Sequence, residues 1–318
     1  VSNVEAQPRE AAGGREAAGG PVHELLPGRE VVLGGTRGIA VSRTLPHRDR
    51  RMVGAWCFVD QYGPHDTTAG GGMKVPPHPH TGLQTVSWLV QGEVLHQDSL
   101  GSVQLVRPGQ LNLMTAGRGI AHSEESPPHG PSVLQGVQLW VALPDPYRLI
   151  DPAFAHHPDL PVVAGAGVTI TVVMGELAGV ASPARAYSPL VGAEIALADA
   201  QTRLALRVDF EYAALVLHGV AEVDGVGLSP GTLLYLGRGR TGLPLRGTGR
   251  VLLLGGEPFE ERIVMWWNFV GRGHDEIVRD REDWMAGVRF GRVGGYQGDP
   301  LPAPPMPATP LLPRGRER

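Results

Sequence analysis

Short apolar runs separated by turn residues follow one another along most of the chain. The first series predicts strands at 30–33, 52–60, 84–90, 93–97, 103–106, 110–115 and 134–143. Between these runs stand turn-forming residues such as Gly92, Gly117 and the pair Pro108 and Gly109. A spacing of about 8–12 residues between short strands is typical of a β-sandwich or β-barrel. The pattern therefore predicts an all-β fold.

A second series of short apolar runs repeats this rhythm later in the chain. It predicts strands at 169–174, 194–197, 202–208, 213–218, 221–223, 232–236 and 250–255, with one of the turns at Gly219. Two halves with the same rhythm indicate an internal duplication with a hinge in residues 144–165. One helix is predicted at 274–286, because Ile277, Arg281 and Trp284 share a face and Gly287 stands where a terminating glycine belongs.

The two ends differ from the strand-rich interior. Residues 1–20 lack apolar periodicity and are predicted to form a disordered arm. Residues 294–318 are rich in proline and are expected to be disordered or an extended strap, with Leu301, Met306 and Leu311 available to dock. The predicted order between the ends is a first barrel at 21–145, a linker at 146–165 and a second barrel with the helix at 166–293.

Composition narrows the possible functions. A net charge of -4 provides no basic surface for nucleic acid. The chain has no apolar run of membrane-spanning length and no leader pattern at its start, so we expect neither membrane insertion nor secretion. Cys57 is the single cysteine, which excludes an intrachain disulfide and fits the reducing cytoplasm. Lys74 is the single lysine among many arginines, a bias that indicates a GC-rich bacterial genome.

Two short segments concentrate the residues that can bind a metal. One contains His78 and His80, and the other contains His122 and Glu124. In an extended chain residues i and i+2 point to the same side, so each pair projects together. If the two segments meet inside a barrel, three imidazoles and one carboxylate converge. That ligand set suits Fe, Mn, Co, Ni, Cu or Zn and leaves coordination positions for a substrate.

These residues also have ordinary interpretations. A His-X-His pair is common on protein surfaces, and most of the 12 histidines are predicted to be solvated loop residues, with His96 and His129 ambiguous. The combination of both pairs with the preceding glycine at 72 and the intervening turn is more specific than either pair alone. Trp266 and Trp267 are predicted to pack the two domains together, and Cys57 is predicted to be buried and inert.

The motifs resemble those of a known family. The segment Gly72-X5-His78-X-His80-X3-Gln84 resembles the first cupin motif, and the stretches HPHTGLQTVSW and MTAGRGIAHSE are similar to the signature of the pirins. Further similar blocks extend from about residue 37 to 291. The resemblance implies two tandem cupin barrels (the double-stranded β-helix or jelly-roll) with a short C-terminal helix.

The resemblance also implies roles for particular residues. Pirins bind iron in the first barrel alone, through positions that match His78, His80, His122 and Glu124; the expected cofactor is therefore Fe(II), and the second barrel is expected to be metal-free. Two residues depart from the family pattern, since Gln84 replaces a glutamate and Thr81 replaces an arginine. Gln84 and Glu125 are candidates to lie beside the ligands.

Two function classes follow from the resemblance. Some pirins cleave flavonols such as quercetin with O₂ and release carbon monoxide, which implies a dioxygenase with a small aromatic substrate and Glu124 as the proton acceptor. Animal pirins are described as iron-dependent, redox-sensitive regulators, which implies a partner protein and no turnover. A cupin loaded with zinc or nickel and acting on another small molecule is a third possibility. We expect the first class.

Overall fold

The computed structural model describes residues 20–33, 39–68 and 72–316. Strands β1 to β11 are Pro21–Pro27, Arg29–Leu33, Ile39–Leu45, Trp56–Asp66, Lys74–His80, Leu83–Gln91, Val94–Asp98, Val103–Val106, Leu111–Thr115, Ile120–Glu125 and Val133–Ala142. Strands β12 to β22 are Ala153–His157, Val162–Gly165, Val168–Leu177, Val180–Ala181, Leu190–Ala205, Glu211–Val223, Val226–Leu228, Thr232–Gly237, Gly242–Gly256, Val264–Trp266 and Phe269–Gly271. Helix α1 is His274–Met285. Apart from Gly20, the predicted arm lies outside the described residues.

The first half of the chain forms two sheets that face each other. A seven-stranded sheet has the order β12-β9-β6-β11-β4-β3-β2, and a four-stranded sheet has the order β5-β10-β7-β8. The ring of Trp140 on β11 lies edge-on to the ring of His80 on β5, with 5.2 Å between their centroids. Trp88 and Trp140 are buried in the main core.

The second half forms one nine-stranded sheet. Its path is β1-β19-β17-β20-β16-β14-β13, with β15 paired to β14 and β18 paired to β17. Several predicted strands merge here, because β16 and β17 each span two of them. The predicted turn at Gly219 is wrong: this glycine has φ 73° inside β17, next to a shift in the register with β20. The extra residue makes a bulge that bends the strand without ending it.

Strand pairing crosses the predicted domain boundaries. Strand β1 was expected in the first barrel, but it pairs with β19 of the second. Within the predicted linker, β12 pairs with β9 of the first half and β13 pairs with β14 of the second. Only residues 158–161 therefore connect the two sheets. The predicted linker thus contributes one strand to the first sheet and one strand to the second.

The interface between the halves is apolar and also specifically hydrogen-bonded. One core cluster contains residues from both halves, including Phe58 and Leu215. The indole of Trp56 donates to the carbonyls of Val191 and Gly255, each at 3.1 Å. Buried indole N–H groups need such acceptors, and these two fix the angle at which the halves pack. Cys57 lies in this core, which confirms its predicted burial. Burial raises the pKa of its thiol to about 12, which is consistent with an inert thiol.

The C-terminal segment returns to the first half. Helix α1 ends one residue earlier than predicted, and Gly287 follows with φ 70°. The Pro-rich tail is a docked strap: Leu311 is buried, and the backbone N–H of Leu301 donates to the carbonyl of Pro77 at 2.8 Å. Among the described residues, no helix combines the length and apolarity needed to cross a membrane.

Trp266 and Trp267 lie in the same cluster as the helix and the strap. Their neighbours in this cluster include Ala121 of the first half and Phe290. Among the residues that the structure describes, none from the nine-stranded sheet belongs to the cluster. The two tryptophans therefore fasten the C-terminal segment to the first half. The prediction that they pack the two domains together is wrong, because they do not belong to the large core that joins the two barrels.

A buried ion pair in the first half provides a stability test. Arg43 Nε and Asp60 Oδ1 lie 2.7 Å apart, with both side chains at most 1% exposed. Asp60→Asn would leave the guanidinium without its counter-charge, so we expect the free energy of unfolding to fall by about 3–5 kcal/mol. Urea denaturation measures it. The control is Asp49→Asn, at the exposed pair with Arg48, which should cost less than about 1 kcal/mol. Equal losses in the two variants would contradict a stabilising role for the buried pair.

Candidate metal centre

Two neighbouring strands of the four-stranded sheet hold the predicted ligands. Strand β5 pairs antiparallel with β10, and the register places His78 opposite His122 and His80 opposite Ile120. The side chains of His78, His80 and His122 have no exposed surface. Because β5 is an edge strand, its three prolines remove no hydrogen bond that the sheet needs.

The three imidazoles converge as the sequence predicts. One ring nitrogen from each of His78, His80 and His122 lies within 4.8 Å of the other two. Nε2 of His80 and Nε2 of His122 are 3.1 Å apart. Within the described part of the chain this is the single group of three or more histidine, cysteine or acidic side chains with that geometry.

The hydrogen bonds of His78 show which of its nitrogens faces the cluster. Nδ1 lies 2.8 Å from the carbonyl of Pro76 and must donate to it, so Nε2 carries the lone pair. This Nε2 is buried and has no hydrogen-bond partner among the described residues. A buried nitrogen in that state costs free energy, and a bound cation would satisfy it. The side chains present therefore fit a metal ion.

The electrostatics of the cluster favour neutral rings. Burial lowers the pKa of His78 to about 4. The pKa values of His80 and His122 lie well below the usual 6.5. Burial is the main cause, and electrostatic repulsion from His78 is the second. At neutral pH the three rings are unprotonated, which is the form that binds metals.

Glu124 is buried beside this cluster but outside it. It is 2% exposed, and its carboxylate is not among the atoms that lie within 4.8 Å of one another. The hydroxyl of Ser87 lies 3.3 Å from Glu124 Oε1 and 2.9 Å from the Gln138 side chain. The structure thus brings three of the four predicted ligands together and holds the fourth nearby. That Glu124 completes the set stays a prediction.

The other predicted positions have separate surroundings. Gln84 is buried, and its amide donates to Thr115 Oγ1 at 2.9 Å and to the carbonyl of Arg185 at 3.1 Å. Glu125 is partly exposed at the end of β10. Thr81 donates to Asp280 of α1 at 2.7 Å. A role for Gln84 or Glu125 beside the metal remains a prediction.

Sequence reasoning missed two polar side chains behind His122. His96 and Asp98 on β7 are buried, and Nδ1 of His96 lies 3.3 Å from Nδ1 of His122. Their i, i+2 spacing in a strand is the signal that identified His78 and His80, but neither lies in a family-like motif. Burial alone would raise the pKa of Asp98. Hydrogen bonds from His96 and Ser102 outweigh this effect and hold the pKa below its usual value.

Comparison with known proteins identifies the family. The Pirin family model matches residues 38–141, and the Pirin C-terminal cupin domain matches residues 193–291. A Pseudomonas aeruginosa protein named "Putative quercetin 2,3-dioxygenase" is 54% identical over 288 residues, which cover 89% of this chain and 90% of that protein. The chain belongs to the pirin family.

Two further comparisons agree. A pirin-like protein from Caulobacter vibrioides is 39% identical, over 78% of this pirin and 88% of the relative. The crystal structure of a quercetin 2,3-dioxygenase from Acinetobacter baumannii aligns with a TM-score of 0.86 at 44% identity and covers 90% of this pirin and 96% of that chain. The predicted fold class of two tandem cupin barrels with a short C-terminal helix is confirmed.

The ligand assignment predicts which histidines the metal needs. In His122→Ala, one of the three converging nitrogens is lost, so we expect metal content to fall from about one ion per chain to less than about a tenth. Elemental analysis of the purified protein measures it. His218→Ala, an exposed histidine of the second half, should keep the full content. Full retention by His122→Ala would refute the assignment.

The low pKa of His78 predicts a pH-dependent stability of the metal-free pirin. Unfolded His78 titrates near 6.5 and folded His78 near 4, so the unfolded chain binds more protons in that interval. The neutral ring therefore contributes stability that is present above pH 6.5 and lost as the pH falls through the folded pKa. Between pH 7 and pH 5 the contribution of His78 to the free energy of unfolding should decrease by about 2 kcal/mol.

Urea denaturation of chelator-treated protein at both pH values measures this loss. His78→Gln lacks the titrating ring, so its stability should decrease by about 2 kcal/mol less than that of the wild type over the same interval. Parallel pH profiles for the two proteins would contradict the depressed pKa.

Proposed function

We propose that this pirin is a mononuclear metalloenzyme, an iron(II)-dependent dioxygenase for a quercetin-like flavonol. The metal would be held by His78, His80, His122 and Glu124. One observation carries the proposal: three buried imidazoles direct nitrogens to a common point inside the first barrel. Relatives named as quercetin 2,3-dioxygenases support the choice of substrate class.

The donor set limits the metal but does not single one out. Three nitrogens and one carboxylate oxygen suit iron(II), and they are also compatible with Mn, Ni, Co, Cu or Zn. When bound, such a metal supplies Lewis acidity that lowers the pKa of a coordinated hydroxyl group. We propose iron because the resemblance to pirins implies it. A cytoplasmic location is part of the same proposal.

We assign the proton acceptor to Glu124. The Ser87 hydroxyl lies 3.3 Å from its Oε1, a contact that orients the carboxylate that would receive the proton of the substrate hydroxyl. The alternative acceptor, the side chain at position 84, is an amide here and cannot take a proton. Since every side chain of the set is at most 2% exposed, the reaction would occur with bulk water excluded.

One contact favours a second candidate, a redox-sensitive regulatory protein that binds a partner. Thr81, next to His80, is hydrogen-bonded to Asp280 of α1, and Arg289 also pairs with Asp280. This connection would carry a change at the metal to the C-terminal segment. The dioxygenase is the better supported function, because a buried ligand set with a nearby carboxylate is suited to turnover.

The dioxygenase predicts oxygen consumption that depends on Glu124. Wild-type protein reconstituted anaerobically with Fe(II) should consume O₂ and bleach the visible absorbance of quercetin. Glu124→Gln should lower the rate by about 10²-fold or more, since the proton acceptor is lost. Glu222→Gln, at an exposed pair with Arg246 in the second half, should leave the rate unchanged. If the wild type retains iron but shows no consumption, and captures a partner in a redox-dependent way, the regulatory candidate is favoured.

A further inference from the structure

Two buried polar residues of β7 lie behind His122, and none of the roles assigned above uses them. Strand β7 pairs with β10, so Asp98 stands opposite His122 and His96 stands opposite Glu124. His96 is 3% exposed and Asp98 is 2% exposed. Burying a carboxylate and an imidazole is costly unless they are paired and hydrogen-bonded, so their arrangement needs a reason.

The three side chains form one chain of hydrogen bonds. Asp98 Oδ2 lies 3.2 Å from Nε2 of His96, and Nδ1 of His96 lies 3.3 Å from Nδ1 of His122. The other end of His122, Nε2, is the atom that approaches His80 at 3.1 Å. The chain therefore begins at a carboxylate and ends at the centre of the cluster.

The carboxylate fixes the direction of every proton in this chain. Because an ionised carboxylate only accepts, Nε2 of His96 must donate to Asp98. A neutral imidazole carries one proton, so Nδ1 of His96 is an acceptor, and Nδ1 of His122 must donate to it. Nε2 of His122 is then left with its lone pair directed into the cluster.

Two further contacts hold the chain in place. The ring of His96 stacks on Phe154 of β12, with 4.4 Å between centroids and 12° between planes. Asp98 Oδ1 accepts from the backbone N–H groups of Leu100 and Ser102, at 2.9 and 3.0 Å. The oxygen Oδ2 is thereby kept for His96.

We propose that His96 and Asp98 are positioning residues that set the tautomer of His122 and orient its Nε2 for metal binding. The metal consequence rests on the function proposed above, whereas the tautomer does not. A partner behind a metal ligand keeps the ring oriented and raises its basicity, and its loss costs metal affinity about 10–100-fold in comparable sites.

Asp98→Asn tests the proposal with little change of shape. The asparagine oxygen would keep the bonds to Leu100 and Ser102, which turns its NH₂ group toward Nε2 of His96. His96 would then accept there and donate from Nδ1, so His122 would carry its proton on Nε2, the nitrogen that the metal needs. A second variant, His96→Phe, keeps a ring on Phe154 and removes both nitrogens.

The first measurement is ¹⁵N NMR of the histidine rings in the metal-free protein. We expect the Nδ1–H tautomer for His122 in the wild type and the Nε2–H tautomer in Asp98→Asn. An Nε2–H tautomer in the wild type, or no change in the variant, would overturn the proposal whether or not the protein binds a metal.

The second measurement is the affinity for Co(II) alone, by competition with a chelator, together with the visible spectrum of the bound ion. Asp98→Asn and His96→Phe should bind about 10–100-fold more weakly, with an altered spectrum. His156→Phe is the matched control, since His156 lies on the same strand as Phe154 and bonds to Asn112 instead. Affinities within about twofold of the wild type would refute the metal consequence, and a wild type that binds no Co(II) would refute the proposed metal site itself.

Discussion

The structure of the first barrel depends on the burial of three neutral imidazoles at one point. Nε2 of His78 is buried and has no partner in the described part of the chain, a state that costs about 1–3 kcal/mol. Protonation cannot relieve this cost, because burial and mutual repulsion oppose it. The pairing of β5 with β10 nevertheless forces His78 to lie opposite His122. A cation bound at this point would recover the free energy lost in this way, which would link metal affinity to barrel stability.

The C-terminal segment folds back over the first half and contacts the strand that holds His78 and His80. Strand β5 lies at a sheet edge and has few backbone donors, because three of its seven residues are prolines. The strap adds a contact there, since Leu301 donates to the carbonyl of Pro77. Trp284 of α1 in turn donates to the carbonyl of Leu301 at 2.8 Å. The helix and strap therefore brace the strand that carries two of the predicted ligands.

Sequence periodicity predicted the all-β fold, and i, i+2 spacing predicted the histidine cluster, because both depend on the local geometry of extended chain. Strand β5 was not among the predicted strands, since its prolines are compatible only with a position at a sheet edge. The exchange of β1 into the second sheet depends on contacts more than 200 residues apart, which no local pattern contains. His96 stayed ambiguous for a similar reason: its partners Phe154 and His122 are distant in sequence.

The two departures from the family pattern are consistent with the surrounding hydrogen bonds. The amide of Gln84 donates to the carbonyl of Arg185, a contact that a carboxylate could not make because both groups would be acceptors. Thr81 donates to one oxygen of Asp280 while Arg289 pairs with the other, so a positive charge already reaches this carboxylate from the segment that follows α1. An arginine at position 81 would place a second cation there. Since position 84 holds a neutral donor, it cannot be the proton acceptor of the reaction proposed for this barrel, and the proposal assigns that role to Glu124.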